Sequence, residues 1–217
     1  MKKLLIIIIL LVTAAVGFYF GYWTNTPAYA AGEIQQAVQK KDLQLFKERV
    51  DMEKVYSSAI DDILSELKAD GQPEHKMAAT VIRGLKKDLI RELIRRTELK
   101  FQAKEVPDSS LMDKPLKSIT AYIGSAALSM TDVLDVEEKD GLAFANIKLH
   151  DKKLDQDFLW RVQLEKDPNN KWTAVKIVNL KEYMEKRKEL LKIRLNSDKD
   201  SYSQSILNAC AFPKEFV

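Results

Sequence analysis

A chain of 217 residues with 46% hydrophobic side chains carries enough apolar material to close one sizeable core, which excludes a disordered protein. Its 35 basic and 32 acidic residues leave a formal charge of +3, too small and too dispersed for phosphate neutralisation, so no nucleic-acid partner is expected. One cysteine, Cys210, excludes an intrachain disulfide and Cys-rich metal sites, and neither a GxGxxG nor a GxxxxGK loop occurs, so no cofactor is expected.

The first element is LLIIIILLVTAAVGFYFGYW, Leu4 to Trp23, which carries no formal charge. As a helix rising about 1.5 Å per residue it spans about 30 Å, the hydrocarbon thickness of a bilayer. Residues 4–23 are therefore expected to partner the membrane. Lys2 and Lys3 ahead of them favour a cytoplasmic N-terminus and an extracytoplasmic domain. Phe18, Tyr19, Phe20, Tyr22 and Trp23 gather at the far end, where amphipathic rings prefer headgroups.

Ala28-Tyr29-Ala30 reads in two ways. As a small-x-small cleavage site it would end a signal peptide near Ala30 and release a secreted domain. The apolar core would then have to stop near Gly17, leaving a long aromatic-rich stretch before the cut. As helix, the triplet follows a good opening: the Thr26 hydroxyl to cap and Pro27 where no N–H is needed. Tyr29, Ile34, Ala37 and Val38 then share one face, which favours a retained anchor.

Asp42 interrupts that helix, and Leu43, Phe46 and Val50 continue an apolar stripe in a short second one. Asp51 is placed to cap the next, with Val55, Ile60, Ile63, Leu64 and Leu67 inward until Asp70-Gly71-Gln72-Pro73 stops it. One long helix is then expected from about Glu74 to Phe101, with Met77, Val81, Leu85 and Leu89 as its stripe and Ile82, Ile90, Leu93 and Ile94 widening it. From Asp108 to Ser129 the pattern is mixed and Pro115 permits only short helix.

Four strand signals follow: TDVLDVEE, LAFANIKLH, FLWRVQLEK and KWTAVKIV, separated by Lys139-Asp140-Gly141, a polar DKKLDQD and Asp167-Pro168-Asn169-Asn170. Phe158, Trp160, Val162 and Leu164 alternate with polar neighbours, so that strand has one wet face. Asn179 is placed to cap a final helix, LKEYMEKRKELLKIRL, after which periodicity is lost. The expected class is α+β: an N-terminal transmembrane helix, a helical segment, an antiparallel meander of about four strands packed on helices, and a C-terminal helix. The expected division is 1–23 cytoplasmic end and anchor, 24–196 extracytoplasmic domain, and 197–217 tail.

Pro27-Ala28-Tyr29 just past the apolar stretch, then Ile34, Ala37-Val38, Asp42, Phe46 and Val50-Asp51, resemble the bacterial envelope family catalogued as domain of unknown function 2939. The resemblance covers roughly Tyr22 to Asp62 and implies an envelope location, with no catalytic residues to carry over. The helix-then-sheet order is similar to cystatin-like and nuclear-transport-factor-two-like domains, which implies a curved sheet wrapping helices around a pocket.

No catalytic or metal-binding residue stands out. His75 and His150 have no second ligand at metal spacing; Cys210, Ser109, Ser110 and Ser129 lack a nucleophile signature. The adjacent carboxylates Asp61-Asp62 and Glu137-Glu138 point apart on regular elements, and Trp160 and Trp172 read as core. The most suggestive surface is Arg83 to Lys100, where Arg83, Lys86, Lys87, Arg91 and Arg95 are candidate contacts to anionic lipid or cell-wall polymer. A second basic stretch holds Lys181, Lys186, Arg187, Lys188, Lys192 and Arg194. Interspersed acids also permit ordinary i, i+4 pairing, as between Glu92 and Arg96. The sequence points to a membrane-anchored extracytoplasmic binding or interaction module without catalysis; the alternative is a small-ligand pocket or, beyond that, an enzyme. It names no protein partner.

Overall fold

The computed structural model describes residues 2–69, 71–103, 130–151 and 154–194. Residues 104–129 and 195–217 lie outside them, so the mixed segment with Pro115, the serines 109, 110 and 129, the tail and Cys210 are not placed.

Helix α1 (Lys2–Gly21) passes through a single turn of 3₁₀ helix, Trp23–Asn25, into α2 (Pro27–Lys40). The α2 start is capped as its sequence requires: Thr26 Oγ1 accepts from the Tyr29 N–H at 3.2 Å and Pro27 occupies the first turn. Its end is closed by Lys41 in the left-handed region at φ 55°. Asp42 Oδ1 then caps α3 (Leu43–Arg49) through the Leu45 N–H at 3.0 Å. Asp51 Oδ1 does the same for α4 (Met52–Ala69) through Lys54, also at 3.0 Å.

The single long helix expected after Pro73 is two: α5 (Pro73–Gly84) and α6 (Lys86–Phe101), joined at Leu85 with φ −99° and ψ 6°. Gly84 is the reason, since glycine is the weakest helix former after proline and releases the ladder there. The break also rotates the stripe. Met77 and Val81 are exposed, and the buried α5 residues are Ala79 and Ile82; in α6 they are Leu89, Ile90, Leu93, Thr97 and Phe101.

Strands β1 (Met130–Lys139), β2 (Leu142–Asp151), β3 (Gln156–Lys166) and β4 (Trp172–Ile177) form one antiparallel sheet in chain order. Asp140 at φ 55° and Gly141 at φ 76° make the tight β1–β2 turn, a conformation in which a side chain is strained and glycine is not. In the β3–β4 turn, Asp167 Oδ1 accepts from the Asn169 and Lys171 N–H groups, both at 2.8 Å.

Inward residues alternate strictly: Ala143, Ala145, Ile147 and Leu149 on β2, and Phe158, Trp160, Val162 and Leu164 on β3. Register sets Ile147 opposite Trp160 and Leu149 opposite Phe158. These rows meet Ala30, Ala31, Ile34 and Ala37 of α2, Phe46 of α3 and Ala59, Ile60 and Ile63 of α4 in one core. A final helix, α7 (180–194), adds Leu180, Tyr183 and Met184, with the Tyr183 ring edge-on to Phe158 and Trp160 at 4.9 and 5.6 Å. Asn179 does not spend its side chain on α7. It accepts from the Arg161 N–H at 2.8 Å and donates to the Leu159 carbonyl at 2.9 Å, pinning the helix start to β3.

Beyond β4 the sheet edge is partly covered by the α3–α4 connection. Val50 bridges Ala174 in parallel, and the Asp51 N–H donates to the Ala174 carbonyl at 2.9 Å.

Candidate functional site

The end of α1 and the start of α2 form the first candidate region. Helix α1 is apolar and exposed along its length, with Leu4 to Leu11 each more than half exposed and no part of its apolar window buried. It is long and apolar enough to cross a membrane, with a mean hydropathy of 2.7 over an 18-residue window within Lys3–Asn25, and a signal sequence has the same character.

The chain just after it behaves oppositely. Pro27, Ala30 and Ala31 are core residues, Ala31 with no exposed surface. The Trp172 indole Nε1–H, reaching from β4, donates to the Asn25 carbonyl at 3.0 Å. Tyr29 lies between the Tyr19 hydroxyl and the Glu33 carboxylate, and its hydroxyl is pushed up to about 12, first by burial and then by its hydrogen bonds to those two. Glu33 accepts from Arg49 Nε at 2.5 Å, and Arg49 Nη1 continues to the Trp172 carbonyl at 3.4 Å. Polar contacts thus run from Tyr19 on α1 through α2 and the last turn of α3 to β4. Sequence reasoning missed this chain because Glu33 and Arg49 stand sixteen residues apart with no local pattern joining them.

The second region is a cavity of about 90 Å³ between helices α2, α3 and α4 and the inner face of the sheet. Ile34, Val38, Phe46, Tyr56, Ala59 and Trp160 are among its walls, and among the described residues no charged side chain lines it. Tyr56 does not offer its hydroxyl there freely, since Oη shares a 2.5 Å hydrogen bond with Thr97 Oγ1 on α6. Trp160 Nε1 is buried and has no hydrogen-bond partner among the described residues. Phe144 contributes nothing to this space. It lies on the opposite face of the sheet with the Arg161 guanidinium 4.8 Å above its ring.

The basic residues named from the sequence separate into different surroundings. Lys86 turns toward α4 and pairs with Asp61 at 2.7 Å. Lys87, Arg91 and Arg95 recur every four residues along the exposed side of α6, where Arg91 pairs with Asp88 at 3.0 Å and Arg95 with Glu92 at 2.5 Å. Arg95 and Arg96 together hold the Glu92 carboxyl below its usual range, Arg95 contributing most. Arg83 lies on the other helix, α5, and neither it nor Lys87 has an ion pair among the described residues.

The other titratable candidates stand apart. Asp62 is pushed up, chiefly by burial, while its neighbour Asp61 is engaged by Lys86. Glu137 meets Arg161 at 3.3 Å. His150 Nδ1 lies 3.0 Å from Asp157, which also pairs with Lys148 at 2.7 Å. Among the described residues no group of three His, Cys, Asp or Glu comes together as a metal site.

At the far end of β2, Asp151 Oδ2 accepts from Arg187 Nε of α7 at 2.6 Å, both side chains nearly sealed from solvent. This pair had a readable signal that sequence reasoning passed over. Asp151 continues the inward row of Ala143, Ala145, Ile147 and Leu149, and a carboxylate on an apolar row requires a buried partner.

No family model, no curated protein and no solved structure matches this chain.

Proposed function

We propose that this chain is a single-pass membrane-anchored module whose domain lies outside the cytoplasm and binds a partner or ligand without catalysing a reaction. The observation that carries the anchor is the contrast at residues 25–31. Asn25, Thr26 and Pro27, which accept from Trp172, cap α2 and seed the core, would all be lost by a cut after Ala30. A domain designed to be released there would discard its own helix cap and a tie to its sheet. Lys2 and Lys3 ahead of the apolar run give the orientation. The resemblance to the envelope family of unknown function 2939 points the same way, and the cystatin-like comparison supports a sheet that keeps a space under its helices.

The test is a carbonate wash of membranes together with N-terminal sequencing. The intact chain should stay in the pellet with residues 2–30 present, and an alkaline phosphatase fused after residue 217 should be active. A soluble product beginning at Ala31 would overturn the anchor.

The binding half of the reading rests on the apolar cavity rather than on the basic face. The charges of Lys86, Arg91 and Arg95 are already balanced by Asp61, Asp88 and Glu92. Contact of the α6 row with anionic lipid or cell-wall polymer is a second reading, carried by the alignment of Lys87, Arg91 and Arg95 on one exposed side.

A further inference from the structure

Lys166 continues the inward row of β3 one place past Leu164, where the buried part of the strand has ended. Its ammonium lies instead over the indole of Trp172, its partner in the strand register, 5.1 Å from the ring centre. The same indole is fixed at its edge, since Nε1–H donates to the Asn25 carbonyl at 3.0 Å. Asn25 closes the single 3₁₀ turn that follows α1. Two contacts thus tie the foot of α1 to a lysine at the end of the sheet.

The depth of that lysine follows from the anchored reading. With Leu4 to Trp23 across the hydrocarbon, Asn25 lies two residues beyond it, a rise of about 4 Å in 3₁₀ geometry. The headgroup layer on each side of the bilayer is about 5–7 Å thick. Asn25, the Trp172 edge and the Lys166 ammonium therefore come to the level of the lipid phosphates.

The charge at that level is open to a partner. Residues 166–171 read Lys-Asp-Pro-Asn-Asn-Lys, two cations against one carboxylate. Asp167 Oδ1 already accepts from the Asn169 and Lys171 N–H groups, both at 2.8 Å. Glu165 belongs to the other face of the sheet, where it accepts from Gln163 and meets Lys54 at 3.7 Å. Lys166 and Lys171 are exposed, and neither has an ion pair among the described residues. The α6 cations Arg91 and Arg95 are paired, by contrast, and no contact ties them to α1.

We infer that the β3–β4 turn docks on anionic phospholipid headgroups in the leaflet from which α1 emerges, with Lys166 and Lys171 meeting their phosphates and Trp172 tying that contact to the anchor. The inference rests on the anchor half of the proposed function and adds a partner to it.

The experiment uses the full chain, ¹⁵N-labelled, in phosphatidylcholine nanodiscs holding a trace of lipid with a nitroxide high on its acyl chain, as phosphatidylglycerol or as phosphatidylcholine. Paramagnetic broadening of the Lys166 and Trp172 amides is the readout, with residues 155 and 156 at the other end of β3 as reference. Broadening of the turn by the phosphatidylglycerol label should exceed that by the phosphatidylcholine label about tenfold at physiological salt. About 1 M salt, which screens charge beyond about 3 Å, should bring the two labels within about twofold. Lys166→Gln with Lys171→Gln should do the same, whereas Lys166→Arg with Lys171→Arg should keep the preference. The Trp172 indole resonance reports whether the Gln pair is folded; if it is not, the salt series and the Arg pair carry the test.

Equal or absent broadening by the two labels, an unchanged preference in a folded Gln pair, or its loss in the Arg pair would each overturn the proposal. Loss of the preference on adding inorganic phosphate would overturn it too, assigning the lysines to free phosphate. A chain that stays in the nanodisc without the preference removes the docking and keeps the anchor. A soluble product beginning at Ala31 removes both.

Discussion

Two arginines fasten helices to this sheet, and they do so in different surroundings. Arg187 joins α7 to Asp151 with side chains only 6% and 7% exposed, whereas Arg49 joins α3 to Glu33 of α2 with 11% and 20%. The sealed pair is a point of no slack: little water remains to solvate either ion if the other is removed. Beside it the Tyr183 hydroxyl is pushed up to about 12 by burial, while Arg187 pulls the other way. The Arg49 pair is wetter. Its guanidinium also reaches the Trp172 carbonyl and lies 6.0 Å from the Tyr29 ring, so its loss is cushioned by neighbours. The difference implies that the α7 end sets global stability, while the α2 end sets how the domain meets α1.

The sharpest test of that contrast is Asp151→Ala, which takes the carboxylate away from a buried guanidinium and should cost about 3–5 kcal/mol in denaturant unfolding of the full chain in nanodiscs. A cost below about 1 kcal/mol would show the pair to be solvated and the contrast false. Replacing both partners, as Asp151→Leu with Arg187→Met, should recover most of the loss. Glu33→Ala comes next, at about 2 kcal/mol, because Arg49 keeps solvent and a carbonyl. If it equals or exceeds Asp151→Ala, the two clasps are not distinct in kind.

Thr26→Ala removes the α2 cap and should cost about 1 kcal/mol, with amide exchange rising at residues 28 and 29 rather than across the sheet. Acid should act weakly and away from both clasps. Because Arg95 and Arg96 hold the Glu92 carboxyl below the ordinary glutamate value, the stability it lends is present above that ordinary value. It is lost as pH falls through the lower folded value, and for helical pairs of this type amounts to about 0.5 kcal/mol each. Replacing Glu92 by Gln should remove that part of the acid dependence. The smallest effect is expected for Lys87→Gln, Arg91→Gln and Arg95→Gln together: with two of the three already paired, binding to acidic vesicles should change by less than about twofold. A salt-sensitive loss above about tenfold would assign this row to an anionic surface instead.

How far these regions were legible follows from the range of the interactions. The caps by Thr26 and Asp51 and the turn at Asp140-Gly141 act within four residues, so residue type alone disclosed them, whereas Asp42 was read only as the end of α2 and also caps α3. The inward row Phe158, Trp160, Val162, Leu164 was equally plain, since period-two alternation is a local signal. The α5–α6 break was not, because one glycine within a long apolar period is a weak cue and the displaced stripe shows only in the buried Ala79 and Ile82. Asn179 was recognised as a helix-start residue, but its side chain answers to β3, a tertiary demand. Of the candidate site, the apolar α1 and the basic residues were visible, whereas the cavity depends on how α2, α3 and α4 stand off the sheet. No pattern in one strand or helix encodes that spacing.

The 3₁₀ turn between α1 and α2 occupies only Trp23–Asn25, and β4 grips it through Asn25. On the anchored reading the domain therefore has almost no leash. A globular unit of its size is about 40 Å across. Without a flexible stalk to lengthen its reach, it would sweep only a thin layer of space directly over the bilayer. Anything it recognises has to come down to that layer, or already be embedded in it.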